Sequence, residues 1–319
     1  MTAGAMVSAA AISTAVVVLL LKSSAVIVCV AIVARPRFAR AAAARSLGWL
    51  GVFAMLAALP VATALAVWDV AGVDVPHDLL ERPLSPLTGS GSLASALATI
   101  WAIGAVWHVG RLLMDCHAAS ALARSAAIAD GRMQSLLGLS TEQARVHQPV
   151  RIATTSALDA PAVVGWLRPI ILLPTAALRW SDDEIIAVLI HELAHVRRRD
   201  WPIFLVERLL LALYWPNPLV WLAIRRAADA RELAADQIVV RSGVDPATYA
   251  MRLIEVARSC TRQRLAALPL TSGRPLDERI RALFDPSPET PHPVWRLAPV
   301  VFVALVVAIV AIQPLRCIP

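Results

Sequence analysis

The chain has 319 residues, 58% of them hydrophobic and 5% aromatic, with a formal net charge of +7. Soluble domains are nearer half apolar, so this composition excludes an ordinary water-soluble globule and points to a mainly α integral membrane protein. The positive charge is scattered along the chain, fits contact with anionic lipid, and calls for no direct nucleic-acid partner.

Crossing a bilayer takes about 20 apolar residues. Four windows are long enough, at about 11–34, 48–68, 93–114 and 297–313. The first lacks a basic start and is interrupted by Lys22, so it reads as a retained helix rather than a signal peptide. The link after it carries Arg35, Arg37, Arg40 and Arg45 and no acid. The next link, 69–92, carries Asp69, Asp74, Asp78 and Glu81 against a single Arg82. Short basic loops stay cytoplasmic. The N-terminus is therefore expected outside, 35–46 inside, 69–92 outside and 115–296 inside. This divides the chain into a three-helix membrane domain (1–114), a cytoplasmic domain (115–296), and a fourth helix with a short external tail (297–319). Abundant Ala and Arg with almost no Lys suggest a GC-rich bacterial genome, and hence the bacterial cytoplasmic (inner) membrane.

Within the inner part, 115–148 reads as polar helix. Residues 149–174 hold β-rich runs punctuated by Pro and Gly, which predict a small sheet. Ser181-Asp182-Asp183-Glu184 is a capping box. It opens a helix to about Asp200, with acids in the first turn and Arg197 to Arg199 in the last. Trp215-Pro216-Asn217-Pro218 then breaks a long apolar run into two helices, the second from about Pro218 to near Gly243. Two amphipathic helices are expected at 246–260 and 275–284, and a linker at 285–294.

His191 and His195 stand four apart on one helical face, so both imidazoles can reach one metal ion. Two imidazoles and a carboxylate suit zinc, with a fourth position left to water. Glu192 projects beside that position, where it can take a proton from water and pass it to a leaving amine. The third ligand is expected from a later helix. Glu232 leads, with Asp236 and Glu207 as substitutes. Asp236 can accept a hydrogen bond from the free ring nitrogen of a ligand histidine, or pair with Arg231 or Arg241. A full crossing by 202–222 would part Glu232 from His191, so a hairpin that enters and returns is expected, and Glu207-Arg208 within the run agrees. Asp200 and the arginines before it read as a solvated helix end, and His108 as a packed polar contact. Cys29, Cys116, Cys260 and Cys317 show no paired spacing, so neither a disulfide nor a cysteine metal site is expected.

The ordered set PAVVGWLRPIILLP, HELAHVRRRDW, WPNPLVW, ELAAD and LDERI resembles the BlaR/MecR-type membrane zinc peptidases. The resemblance implies a gluzincin-like α+β zinc peptidase domain between the third and fourth spans. His191, His195 and Glu232 would be its zinc ligands, Glu192 its catalytic residue and Asp236 the support behind a ligand. The strand around Val163 to Leu173, with Val163, Val164 and Gly165, would hold an extended protein substrate by β-augmentation, unless it is an ordinary core strand. By the same likeness an outside signal switches on the peptidase, self-cleavage can accompany activation, and a cytoplasmic winged-helix repressor of the penicillinase-repressor kind is inactivated. The penicillin-binding domain that follows the last span in the antibiotic sensors has no counterpart before Pro319. The signal is therefore expected through 69–92, the membrane helices or a separate protein. Ala235, where relatives often have cysteine, is a second departure of little consequence. A homodimer remains open. The competing readings are a membrane quality-control protease of the CAAX-protease or heat-shock-protease kind, and a non-catalytic receptor or scaffold.

Overall fold

The run from 91 to 110 carries no acid, lysine or arginine, and it forms one uninterrupted helix with the Ala-rich stretch after it. In the computed structural model, residues 22–24, 27, 46, 48–60, 91–262 and 276–284 are described. A short apolar helix, α1 (Gly48–Pro60), precedes the long one, α2 (Gly91–Ser125). Within α2, Ala96–Ser125 is long and apolar enough to cross a membrane. The roughly 20 residues ahead of Arg111 rise about 30 Å, the thickness of a bilayer's hydrocarbon core. Ile100, Ile103, Val106 and Trp107 are exposed along it, as on a helix face turned to lipid. The expected third span lies within α2, but the helix does not stop at 114. It continues to Ser125, and Ala119, Leu122 and Ala123 pack there with sheet residues Ala153, Val164, Ile170 and Leu172. Most of the first expected span, residues 61–68 of the second, 69–90, the linker and the fourth span lie outside the described residues.

Beyond α2 the chain forms β1 (Ala127–Ile128), α3 (Gly131–Gln143), β2 (Arg151–Thr155), β3 (Ala162–Val164) and β4 (Ile170–Pro174). The sheet order is β1-β2-β4-β3, with β2 and β4 parallel and the outer pairs antiparallel. β4 is buried along its whole length, as a central strand of continuous apolar residues should be. The stretch expected as one strand, Val163 to Leu173, is two: β3 at the sheet's edge and β4 inside it. The turn between them passes through Gly165 at φ +91, a backbone that favours glycine.

After a 3₁₀ turn (Thr175–Arg179) comes α4 (Asp182–Arg197). Its capping box forms: Ser181 N donates to Glu184 Oε2 at 2.7 Å, and Glu184 N donates to Ser181 Oγ at 3.3 Å. Ile185, Leu189, Ile190 and Leu193 are fully buried and, with Ile171, Leu173 and Met133 of α3, make the main core. The helix ends three residues before Asp200, because Arg199 takes a left-handed conformation at φ 56. Such a residue stops a helix, and a side chain there costs about 1–2 kcal/mol.

Two helices follow as a hairpin, α5 (Asp200–Tyr214) and α6 (Pro218–Arg241), capped by Asn217 Oδ1 accepting from Leu219 N at 3.0 Å. α6 starts at the expected proline and stops before Gly243 at φ +93. No charge occurs between Arg208 and Arg225. This apolar tip packs on Trp49, Val52, Phe53 and Leu56 of α1. Trp101 Nε1 on α2 donates to Leu213 O at 2.9 Å, and Trp215 Nε1 donates to Trp101 O at 3.1 Å. Tyr214 Oη donates to Leu56 O at 2.8 Å. His108 packs between the Trp215 and Trp221 rings, with centroids 6.4 and 5.6 Å away. α7 (Pro246–Arg262) and α8 (Leu276–Leu283) complete the described elements.

A hairpin that enters and returns leaves its two arms on the same side of a bilayer. Single cysteines in place of Asp183 and of Arg241, both exposed, in a background lacking the native cysteines, are therefore expected to react with a membrane-impermeant thiol reagent from the same face. Labelling from opposite faces would show a full crossing.

Candidate metal centre

α4 carries His191 and His195 four residues apart, and the period of the helix turns both toward α6. Their Nε2 atoms lie 3.2 Å apart. α6 returns antiparallel along the same groove and places Glu232 between them. Its Oε2 is 3.6 Å from His191 Nε2, and its Oε1 is 3.7 Å from His195 Nε2. One ligand atom from each of these residues falls within 4.8 Å of the others, and they form the one such group among the described residues. Ligands about 2.0–2.1 Å from a tetrahedral ion are about 3.3 Å from each other. The three donors are thus spaced for one small divalent cation with a fourth position free.

Each histidine is held from behind, which leaves its Nε2 for a metal. His191 Nδ1 lies 2.8 Å from Tyr249 Oη, which donates to Asp236 Oδ1 at 2.8 Å, while Asp236 Oδ1 is itself 3.3 Å from His191 Nδ1. Asp236 is 1% exposed. Its carboxylate takes a two-pronged bond from Arg279, Nε to Oδ2 at 2.8 Å and Nη2 to Oδ1 at 2.7 Å. Arg279 Nη1 also lies 3.3 Å from Glu232 Oε2. So Asp236 pairs with Arg279 of α8, and its place is behind the first histidine. Behind the second, Asp200 Oδ2 is 2.7 Å from His195 Nδ1. The expectation that Asp200 is solvated is overturned: it is 7% exposed, although Arg197 and Arg199 beside it are exposed as expected. The left-handed Arg199 turns the chain back and brings Asp200 beneath the histidine. Tyr249 has no sequence signal of its own. Arg279 stands in LDERI, and its contact with Asp236 requires α8 to dock.

Glu207 is not at the cluster. Its carboxylate, 1% exposed, takes a paired bond from Arg231, with Nη2 to Oε2 at 2.9 Å. This ties α5 to α6 one residue before Glu232.

The electrostatics follow from burial and pairing. Burial pushes the Glu192 carboxyl up, although the two imidazoles pull it down. That direction suits a group that must take and return a proton near neutral pH. Burial would raise Asp236 and Glu232 as well. Arg279 and His191 keep Asp236 low, while His191, His195 and Arg279 hold Glu232 well below the usual carboxylate range. Asp200 is lowered against its burial, chiefly by its bond to His195.

Glu192, the two histidines and Glu232 line a cleft of about 460 Å³. Val163 and Gly165 line it too, and among the described residues the outer edge of β3 pairs with no strand. Val164 alternates to the other face and is buried against Ala153 and Leu172.

Residues 14–283 match the family described as BlaR1 peptidase M56. The chain is also 30% identical over 156 residues to the regulatory protein BlaR1 of Bacillus licheniformis, a match covering 49% of this chain and 26% of that protein. It therefore spans about a quarter of the length of this relative.

Replacing His191 and His195 together by alanine is expected to abolish stoichiometric zinc binding. Asp236→Asn, which weakens the hold on His191, is expected to loosen zinc about 10- to 100-fold. Competition with a chromophoric chelator reads both, and an unchanged affinity in Asp236→Asn would remove that relay.

Proposed function

The chain belongs to the BlaR1 peptidase M56 family, and on that premise we propose that it is a zinc-dependent endopeptidase of the bacterial cytoplasmic membrane that transduces a signal by cleaving a cytoplasmic protein. The observation that carries this reading is the meeting of His191, His195 and Glu232 at the separations of a tetrahedral site, with Glu192 beside them in one cleft. The basic 35–46 link and the acidic 69–92 link favour the peptidase on the cytoplasmic side, between a third and a fourth span.

The chain's residues divide the work. Asp200 and the Tyr249–Asp236 pair hold the two imidazoles by Nδ1, so both present Nε2. Zinc, when bound there, would supply a Lewis acid that makes a water deprotonable near neutral pH. Glu192, raised by burial, accepts that proton and returns it to the leaving amine. An extended segment of substrate adds to the free edge of β3, which lays its backbone across the cleft beside Val163 and Gly165.

By the family's likeness the substrate is a small winged-helix repressor, and self-cleavage can accompany activation. Glu192→Gln is expected to keep its zinc and to lose roughly 10²- to 10⁴-fold in cleavage rate. The check is the cytoplasmic proteome of cells carrying either form. One shortened DNA-binding protein present only with Glu192 supports the repressor reading. Broad accumulation of misfolded membrane proteins with Glu192→Gln would instead mark a quality-control protease.

A further inference from the structure

We propose that α5 links the membrane helices to the metal centre, with Asp200 as the positioning residue that passes displacement of the hairpin tip to His195. This deepens the peptidase reading and rests on it. α5 is one helix of 15 residues, about 21 Å from Asp200 to Tyr214 at 1.5 Å per residue.

At its inner end Asp200 holds His195 Nδ1 at 2.7 Å, and only Arg198 and Arg199 separate it from the helix that carries both histidines. At its outer end the tip is gripped by three separate membrane-side segments. Asn217 Nδ2 donates to Ser23 Oγ and to Ser24 Oγ, each at 3.0 Å. Tyr214 bonds Leu56 O on α1, Trp101 Nε1 of α2 donates to Leu213 O, and Trp215 Nε1 donates back to Trp101 O. Trp215 lies so close over Gly104 that any side chain there would meet the indole. On the hairpin side these polar grips lie in an uncharged, apolar stretch, where breaking one leaves a polar group with few partners to replace it. The tip therefore follows the bundle instead of slipping past it.

Between the two ends, the buried Glu207–Arg231 pair braces α5 to α6 beside Glu232. A shift of the tip thus reaches two of the three donors, His195 through Asp200 and Glu232 through Arg231.

The test is a double-mutant cycle on zinc affinity, measured by chelator competition on the full chain in lipid nanodiscs. Asp200→Asn is expected to weaken zinc about 10- to 100-fold. Asn217→Ala, some 20 Å away by the helix rise, is expected to weaken it several-fold when Asp200 is present and not at all in the Asp200→Asn background. Leu209→Ala, on the exposed face of the same helix, is the control and should leave zinc affinity unchanged. If Asn217→Ala does not fold, Gly104→Ala displaces the tip through Trp215 and is read in the same way. An Asn217→Ala or Gly104→Ala protein with wild-type zinc affinity would overturn the link. So would the same fold-loss in both backgrounds, since distant uncoupled sites add. A wild-type chain that binds no zinc would overturn the peptidase reading itself.

Discussion

Two imidazole nitrogens 3.2 Å apart on one helix are half of the candidate metal site, and the other half depends on a change of direction some 20 residues later. The reversal at Trp215-Pro216-Asn217-Pro218 sends α6 back along α4 and sets Glu232 within 3.7 Å of both nitrogens. Proline cannot extend α5 and is well placed in the first turn of α6. Asn217 caps that turn with its side-chain oxygen and uses its amide nitrogen to reach Ser23 and Ser24. One residue thus ends the hairpin and anchors it.

Around the donors the molecule concentrates buried charge in an otherwise apolar chain. Glu192, Asp200, Glu207 and Asp236 are each at most 8% exposed. Two of them are neutralised at short range, Glu207 by Arg231 and Asp236 by Arg279, and Asp200 is hydrogen-bonded to His195. Removing one member of such a buried pair typically costs about 3–5 kcal/mol, because the other is left uncompensated. Burial disfavours the ionisation of Glu192 on balance, as it does that of Glu207 despite its arginine. The same desolvation that would be a liability in a structural carboxylate raises the proton affinity of Glu192, beside the histidines.

The long helix α2 runs unbroken from Gly91 to Ser125. Its first part is lined by exposed Ile, Val and Trp, and its last turns pack on β2, β3 and β4. The sheet edge and the hairpin tip are therefore both referred to one rod. This explains how a site built on α4 and α6 keeps its register with the strand that borders its cleft.

Much of this was written locally. The spacing of His191 and His195, the Ser181 capping box, the break at Pro216 and Pro218, and the stop at Gly243 each follow from helix period or from the conformations of single residues. Those are properties of neighbours in sequence. Tertiary structure decided which acid joins the histidines. Glu232 and Asp236 share one face of α6, and only the register of α6 against α4 sets the first among the donors and the second behind Tyr249. It also decided Asp200. On an unbroken helix, Asp200 would stand about 140° around from His195, facing away. The left-handed Arg199, a conformation its side chain does nothing to announce, reverses that and places the carboxylate on the imidazole. Arg279 reaches Asp236 only because α8 docks against α6. Helical period fixes what neighbouring residues share. Which distant groups come within bonding reach is fixed by how the helices stack.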